Sequence, residues 1–320
     1  MGRRTHPHTT PPRMTTSPAW ERFTAFKHTL PRTPRLTAAR VKARGLDFAV
    51  WSSPPVAGTL PLCCVNGGMI YSHNLLWPGL AALAHSRQVI LFDQRGRGAS
   101  QVPPAPNASR IEFDAGDVVA IREALGIPRW DLLGHSWGGG ISMLAAARDL
   151  SGVRRLVLAS AVGSTGTWIP SLHPDAVARL SGAPRHLLAS LDPSALLAAD
   201  ADLHAEYSRA LYPAYFADRA LGAMFAPPQE RSITGAAVAA RLRREGYDWQ
   251  SDVASIRATT LLIHGLDDVL PARLADDTGA RIPHATVHRV ANAGHMPFFE
   301  QPSEFFSTVL GFLDAPDRGA

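Results

Sequence analysis

From about residue 35 to residue 315 the chain alternates short runs of consecutive apolar residues with longer stretches whose apolar positions recur every three or four residues. Residues 35–44 and 46–52 read as an opening pair of strands. Leu60–Val65 is an apolar run closed by Asn-Gly-Gly, which suits a buried strand and a sharp turn. Arg87–Phe92 is the next, closed by Asp-Gln-Arg-Gly-Arg-Gly. In 111–125, Val118, Val119, Ile121 and Leu125 fall on one helical face, and Gly126 is a stop signal. Strands over 130–133 and 153–159 bracket a helix over 137–148. Later come strands over 259–263 and 285–290, with helices over 270–280 and 302–313. Strands separated by helices predict an α/β protein with a mostly parallel central sheet covered on both faces.

One segment breaks the alternation. Residues 164–254 show no clear strand, only Ala-, Leu- and Pro-rich stretches of helical pattern. The expected organisation is therefore a tail (1–34), a core from 35–163 and 255–316, and a helical lid or cap over 164–254. The lid carries Tyr207, Tyr212, Tyr215, Tyr247, Trp168, Phe216, Phe225 and Trp249. Aromatics with a polar tip can line a specific apolar pocket, but most of these read as packing within the lid.

Charge changes the picture once it is located. The net charge is +5, yet residues 1–44 hold ten Arg or Lys against the single acid Glu21, which leaves −4 for the rest. The basicity belongs to a Pro/Thr/Arg-rich tail that reads as disordered, so the body gives no reason to expect a nucleic-acid partner. Arg3-Arg4 is not followed by the apolar stretch of an export signal. No apolar run approaches the ~20 residues of a membrane span. Cys63 and Cys64 are adjacent in a strand, so their side chains point to opposite faces and a disulfide between them is not expected. Two buried thiols fit a reducing cytoplasm.

The candidate chemistry begins at Gly134-His135-Ser136-Trp137-Gly138, a G-x-S-x-G pentapeptide between a predicted strand and a predicted helix. On such a turn the serine backbone is strained and its hydroxyl projects above the sheet, while side chains at the flanking glycines would collide with their neighbours. The helix N-terminus adds free N–H groups for a developing oxyanion. A serine hydroxyl needs a base. Of the 13 histidines, His295 in Asn-Ala-Gly-His-Met-Pro follows the strand over 285–290 and precedes a helix. His264, also at a strand end, is the rival. The base needs a carboxylate to fix its tautomer, and Leu262-Ile263-His264-Gly265-Leu266-Asp267-Asp268 supplies two; Asp268, three residues past the glycine, is the choice, with Asp267 left as an exposed turn residue. For the oxyanion hole the expected N–H donors are those of Trp137 and of Gly68 in Asn66-Gly67-Gly68, with Met69 the alternative to Gly68. The charges of 93–100 (Asp-Gln-Arg-Gly-Arg-Gly-Ala-Ser) are expected to brace the site.

At these residues the sequence resembles the α/β-hydrolase fold superfamily over nearly all of 40–315. NGGMIYSHNLLWPGL, FDQRGRGAS and GHSWGG look like its proline iminopeptidase branch. The resemblance implies the α/β-hydrolase fold and the order Ser136, Asp268, His295. Most members carry His-Gly in the oxyanion loop; here Asn66 stands in the histidine's place, where that residue supports the loop. A serine nucleophile argues against the dehalogenase and epoxide hydrolase chemistry that the resemblance associates with an aspartate.

The expected activity is hydrolysis of an ester or small amide of a small molecule or short peptide through an acyl-enzyme on Ser136, with no metal and no organic cofactor. An aminopeptidase would need a lid carboxylate to hold the substrate ammonium, and Glu206 is the candidate over Glu230 and Glu245. A carboxylesterase or lactonase would need only an apolar acyl pocket. A biosynthetic acyl transferase or cyclase would use the same residues with water excluded. From a different class, a small-molecule receptor can use the same fold without turnover.

Overall fold

The structure is a computed structural model that describes residues 34–193, 201–225 and 230–317, with the backbone alone over 201–205. All but the last residue of the expected basic tail lies outside the described residues.

Eight strands form one sheet. β1 (Thr37–Ala43) and β2 (Leu46–Ser52) make an antiparallel hairpin, followed in chain order by β3 (Leu62–Val65), β4 (Val89–Phe92), β5 (Trp130–His135), β6 (Val153–Ala159), β7 (Thr259–Gly265) and β8 (Ala285–Val290). The order across the sheet is β1-β2-β4-β3-β5-β6-β7-β8. β2 pairs antiparallel with β4, and every pairing from β4 to β8 is parallel. β3, β4 and β5 are buried at every position, because both faces of a central parallel strand are covered. β1 exposes five of its seven residues and ends the sheet on one side.

The strand period of two divides the core. Cys63, Leu132, Leu156 and Leu158 face one layer with α1 (Ile111–Ala124) and α2 (Trp137–Arg148). Cys64, Leu133, Val157 and Ile263 face the other, against Leu76, Leu80 and the closing helix, whose Phe305, Val309 and Leu313 are buried. The two cysteines thus point to opposite faces as free thiols, and burial pushes both well above the usual thiol range.

The chain leaves the sheet after β6 and returns at β7. Between them lie α3 (Ile169–Ala178), α4 (Gly182–Ser190), α5 (Ala201–Tyr215), α6 (Arg219–Met224), α7 (Ile233–Glu245) and α8 (Gln250–Ala254). This helical insertion rests on the loops beyond the strand ends: Ser232 caps α7 and its hydroxyl also donates to Gly96 O at 2.6 Å. After β7 come α9 (Arg273–Gly279), β8, the short α10 (Pro297–Glu300) and α11 (Pro302–Asp314). Among the described residues no helix is long and apolar enough to cross a membrane. The predicted elements and the observed ones agree in type throughout the sheet. The short helix 297–300 and the 3₁₀ turns at 73–75, 81–85 and 106–108 lack a hydrophobic period of their own.

Candidate active site

Ser136 is the residue between β5 and α2, with φ 56° and ψ −124°, and it is 8% exposed. A left-handed backbone at a non-glycine costs about 1–3 kcal/mol, so the surroundings must hold it there. They do so by hydrogen bonds on both sides: Ser136 N donates to Ala159 O at 3.1 Å, and Ser136 O accepts from Gly139 N and Val162 N. Glycines let the strands and helix close around it. A Cβ at Gly67 would lie 2.6 Å from Ser136 Cβ, and one at Gly138 would overlap Val65 O.

His295 and Asp268 sit on the turns after β8 and β7. His295 Nδ1 lies 2.8 Å from Asp268 Oδ2, so this ring nitrogen carries the proton and donates it to the carboxylate, leaving Nε2 as the basic atom. Asp268 Oδ1 accepts from Leu270 N at 2.9 Å. Burial pushes the Asp268 carboxyl up, but the His295 and His264 rings together with these hydrogen bonds outweigh it and hold the acid below its usual range. Asp267 is exposed, as the sequence reading has it. The rival His264 is buried behind the acid, with Nε2 donating to Leu270 O at 2.9 Å, and it does not reach the cavity. Ser136 and His295 both line one cavity, with no hydrogen bond between their side chains.

The cavity, of about 230 Å³, lies between the sheet's loops and the insertion. Gly68, Met69 and Trp137 line it beside Ser136. Trp137 N is the first N–H of α2, and among the described residues neither it nor Gly68 N is taken up by a protein acceptor. Gly68 (φ 75°) and Met69 (φ 57°) are both left-handed, so this loop is bent and must be held. Asn66 does part of that work: its Nδ2 donates to Gly67 O at 3.1 Å and Tyr71 O at 2.9 Å, while its backbone carbonyl accepts from Gln94 Nε2 at 2.7 Å. Fully buried Arg97 does the rest, donating Nε to Met69 O at 2.7 Å while its two terminal nitrogens pair with Asp114. Burial pushes Asp114 up despite that arginine. The loop 93–100 thus braces the site.

Four of the eight insertion aromatics, Trp168, Tyr207, Tyr212 and Tyr215, line the cavity, more than the packing reading allowed. Desolvation pushes the Tyr207 hydroxyl up to about 12 and Tyr212 and Tyr215 higher still, so all are neutral donors. Tyr71, from the sheet side, joins them through Ser208 and Tyr212. His135 is neutral: burial and then the His295 ring push it down to about 3, and its Nε2 donates to His295 O at 2.9 Å.

Glu206 is corrected by the structure. It is exposed and does not line the cavity, because on α5 the neighbouring Tyr207 and Ser208 face inward instead. Glu230 is occupied by Ser72 and Asn74, and Glu245 by Arg244 and Arg241. Among the described residues no carboxylate side chain lines the cavity; at its edge stand the exposed Arg243 and, nearby, His173, which burial and then Arg243 push down. Tyr71 and Glu300 were missed as parts of the site by sequence reasoning, whereas Arg97 belongs to the run 93–100 expected to brace it. Tyr71 lies within the NGGMIY motif and Glu300 five residues past His295, but neither has a local pattern that reveals its contacts.

The sheet order, the serine turn and the loop-borne Asp and His define the α/β-hydrolase fold. A profile of the alpha/beta hydrolase fold family matches residues 61–302, and the chain belongs to that family. It is 30% identical over 243 residues to the 2-hydroxymuconate semialdehyde hydrolase of Pseudomonas sp. (strain CF600), spanning 74% of this chain and 80% of that protein. It is 26% identical over 278 residues to the proline iminopeptidase of Lactobacillus delbrueckii subsp. bulgaricus, spanning 80% and 90%. In three dimensions the enol-lactonase from Burkholderia xenovorans LB400 superposes with a TM-score of 0.61 at 21% identity, over 87% of this chain and all of that one.

Proposed function

We propose that the protein is a serine acyl hydrolase that cleaves esters or lactones of small molecules. The observation that carries this reading is the meeting, in one largely apolar cavity, of Ser136 on its strained turn with the His295–Asp268 pair. In this mechanism His295 Nε2 takes the Ser136 proton as Oγ attacks the carbonyl carbon. The N–H groups of Trp137 and Gly68 hold the oxyanion. His295 then gives the proton to the departing oxygen, and the acyl-enzyme is hydrolysed by a water deprotonated by the same ring. Asp268 orients the ring and stabilises its cation.

The aminopeptidase reading, which the iminopeptidase relative favours, lacks the carboxylate it needs among the described cavity residues. With Arg243 the only permanently charged side chain among the described cavity residues, neutral or anionic acyl groups fit better than an ammonium. The helical insertion serves as the cap that selects the acyl group. The substrate is the partner we expect, without nucleic acid or membrane, and the two buried thiols suit the cytoplasm. The test is a paired panel of short p-nitrophenyl esters and aminoacyl-arylamides, including prolyl, with Ser136→Ala as control. Ester turnover that vanishes in Ser136→Ala supports the reading. Prolyl-arylamide turnover in preference to esters, or undiminished turnover by Ser136→Ala, overturns it.

A further inference from the structure

We infer that Glu300 is a positioning residue that clasps the turn bearing His295 to the helical insertion, so that the base is held by the same element that receives the substrate. The inference rests on the acyl-hydrolase reading above.

The clasp is made by both oxygens of one carboxylate. Oε2 accepts from Gly294 N at 2.6 Å, on the residue directly before His295. Oε1 accepts from Ala217 N at 2.7 Å and Asp218 N at 3.3 Å, just beyond the end of α5. A carboxylate has about four lone-pair sites, so one group can take all three N–H donors; no neutral side chain of this size can. The same two segments meet twice more. His295 N donates to Tyr215 O at 2.6 Å, and the Tyr215 ring lies against the His295 imidazole at 4.7 Å between centroids. A Cβ at Gly294 would overlap the Tyr215 carbonyl, so the closeness of the segments is built into the backbone. On the acid's side, Arg179 of the insertion donates to both Ala214 O and Asp267 O. The turns carrying the base and the acid are therefore both tied to the stretch 214–218, which ends the helix whose Tyr207, Tyr212 and Tyr215 line the cavity. Glu300 touches neither the cavity nor the base itself. Its effect on chemistry passes through the position of His295.

Glu300→Gln keeps the shape and leaves one carbonyl oxygen, so its NH₂ must face either Gly294 N–H or Ala217 N–H, and one arm of the clasp is lost. A misplaced base costs turnover more than binding. The experiment measures kcat and KM on p-nitrophenyl butyrate, the rate at which a fluorophosphonate labels Ser136, and the folded state by circular dichroism. The expected result is kcat lower by about tenfold or more with KM within about threefold, and a labelling rate that falls in parallel because it needs the base but no acyl-pocket fit. Glu300→Asp keeps the charge but is one methylene too short to span both segments, and should fall likewise. A folded variant of either kind with unchanged kcat, a change confined to KM, or a kcat loss without slower labelling overturns the inference. Failure of both variants to fold would also overturn it, by making Glu300 a residue of the fold alone. Ser136→Ala run alongside separates the two ideas: if it still hydrolyses the ester, the acyl-hydrolase reading falls whatever Glu300 does.

Discussion

Replacing Asp268 by Asn tests the base–acid pair most directly. Each carboxylate oxygen of Asp268 faces an N–H donor: Oδ2 faces His295 Nδ1 at 2.8 Å, and Oδ1 faces Leu270 N at 2.9 Å. An amide has a single acceptor oxygen, so its NH₂ must oppose one of these donors in a site that is 4% exposed. If it opposes His295, the ring changes tautomer, Nε2 carries the proton, and the base can no longer accept from Ser136. Loss of tautomer control in Ser-His-Asp enzymes lowers kcat by about 10³–10⁴-fold, or roughly 4–5.5 kcal/mol in the barrier. If it opposes Leu270 instead, a buried N–H is left unpaired, at about 1–3 kcal/mol of stability, and the His295 cation still loses its counter-charge. Steady-state ester hydrolysis by Asp268→Asn, with Asp267→Asn as the neighbour control, distinguishes the readings. The expected outcome is a loss of about three orders of magnitude for Asp268→Asn and a change within about twofold for the exposed Asp267. An Asp268→Asn enzyme with more than a tenth of wild-type kcat, or an equal loss at Asp267, would refute the assignment.

Three further expectations concern the loop and the clasp. Asn66→Ala removes two buried donations to the oxyanion loop, at Gly67 O and Tyr71 O, and should lower stability by about 1–3 kcal/mol in denaturant titration and depress kcat with it. Arg97→Met strands the buried Asp114 carboxylate and should cost about 3–5 kcal/mol; Arg97→Met with Asp114→Leu should recover most of the stability but not kcat, because Met69 O still lacks its donor. Burial, with Asp268 adding its repulsion, pushes the Glu300 carboxyl up to about 7, against the pull of Arg219 and of the Gly294 and Ala217 N–H groups. A raised acid stabilises the fold most below its unfolded value near 4.5 and loses that contribution as pH rises through about 7. Thermal unfolding of wild type and Glu300→Gln should therefore shift in favour of the glutamine between pH 5 and about pH 8; a constant difference would contradict it.

The sequence by itself determined the sheet, the order of its elements and the three residues at its loops. Each rests on information contained within about ten residues. Short apolar runs such as Val-Ile-Leu-Phe, closed by a turn signal, read as buried strands, and Gly-His-Ser-Trp-Gly between a strand and a helix forces a strained turn. That Asp268 rather than Asp267 points inward was legible for the same reason, since a turn fixes which of two adjacent side chains is buried. Which residues face the cavity was decided only in three dimensions. Glu206 and Tyr207 are neighbours on one helix, and only the docking of α5 on the sheet's loops turns the tyrosine in and leaves the glutamate outside. Likewise Asn66, Arg97 and Tyr71 form one brace from two separate loops, and Glu300 reaches Ala217 across 83 residues of sequence. Hydrophobic period and turn chemistry are short-range, whereas a carboxylate's partners depend on how whole layers pack, and no local pattern records that.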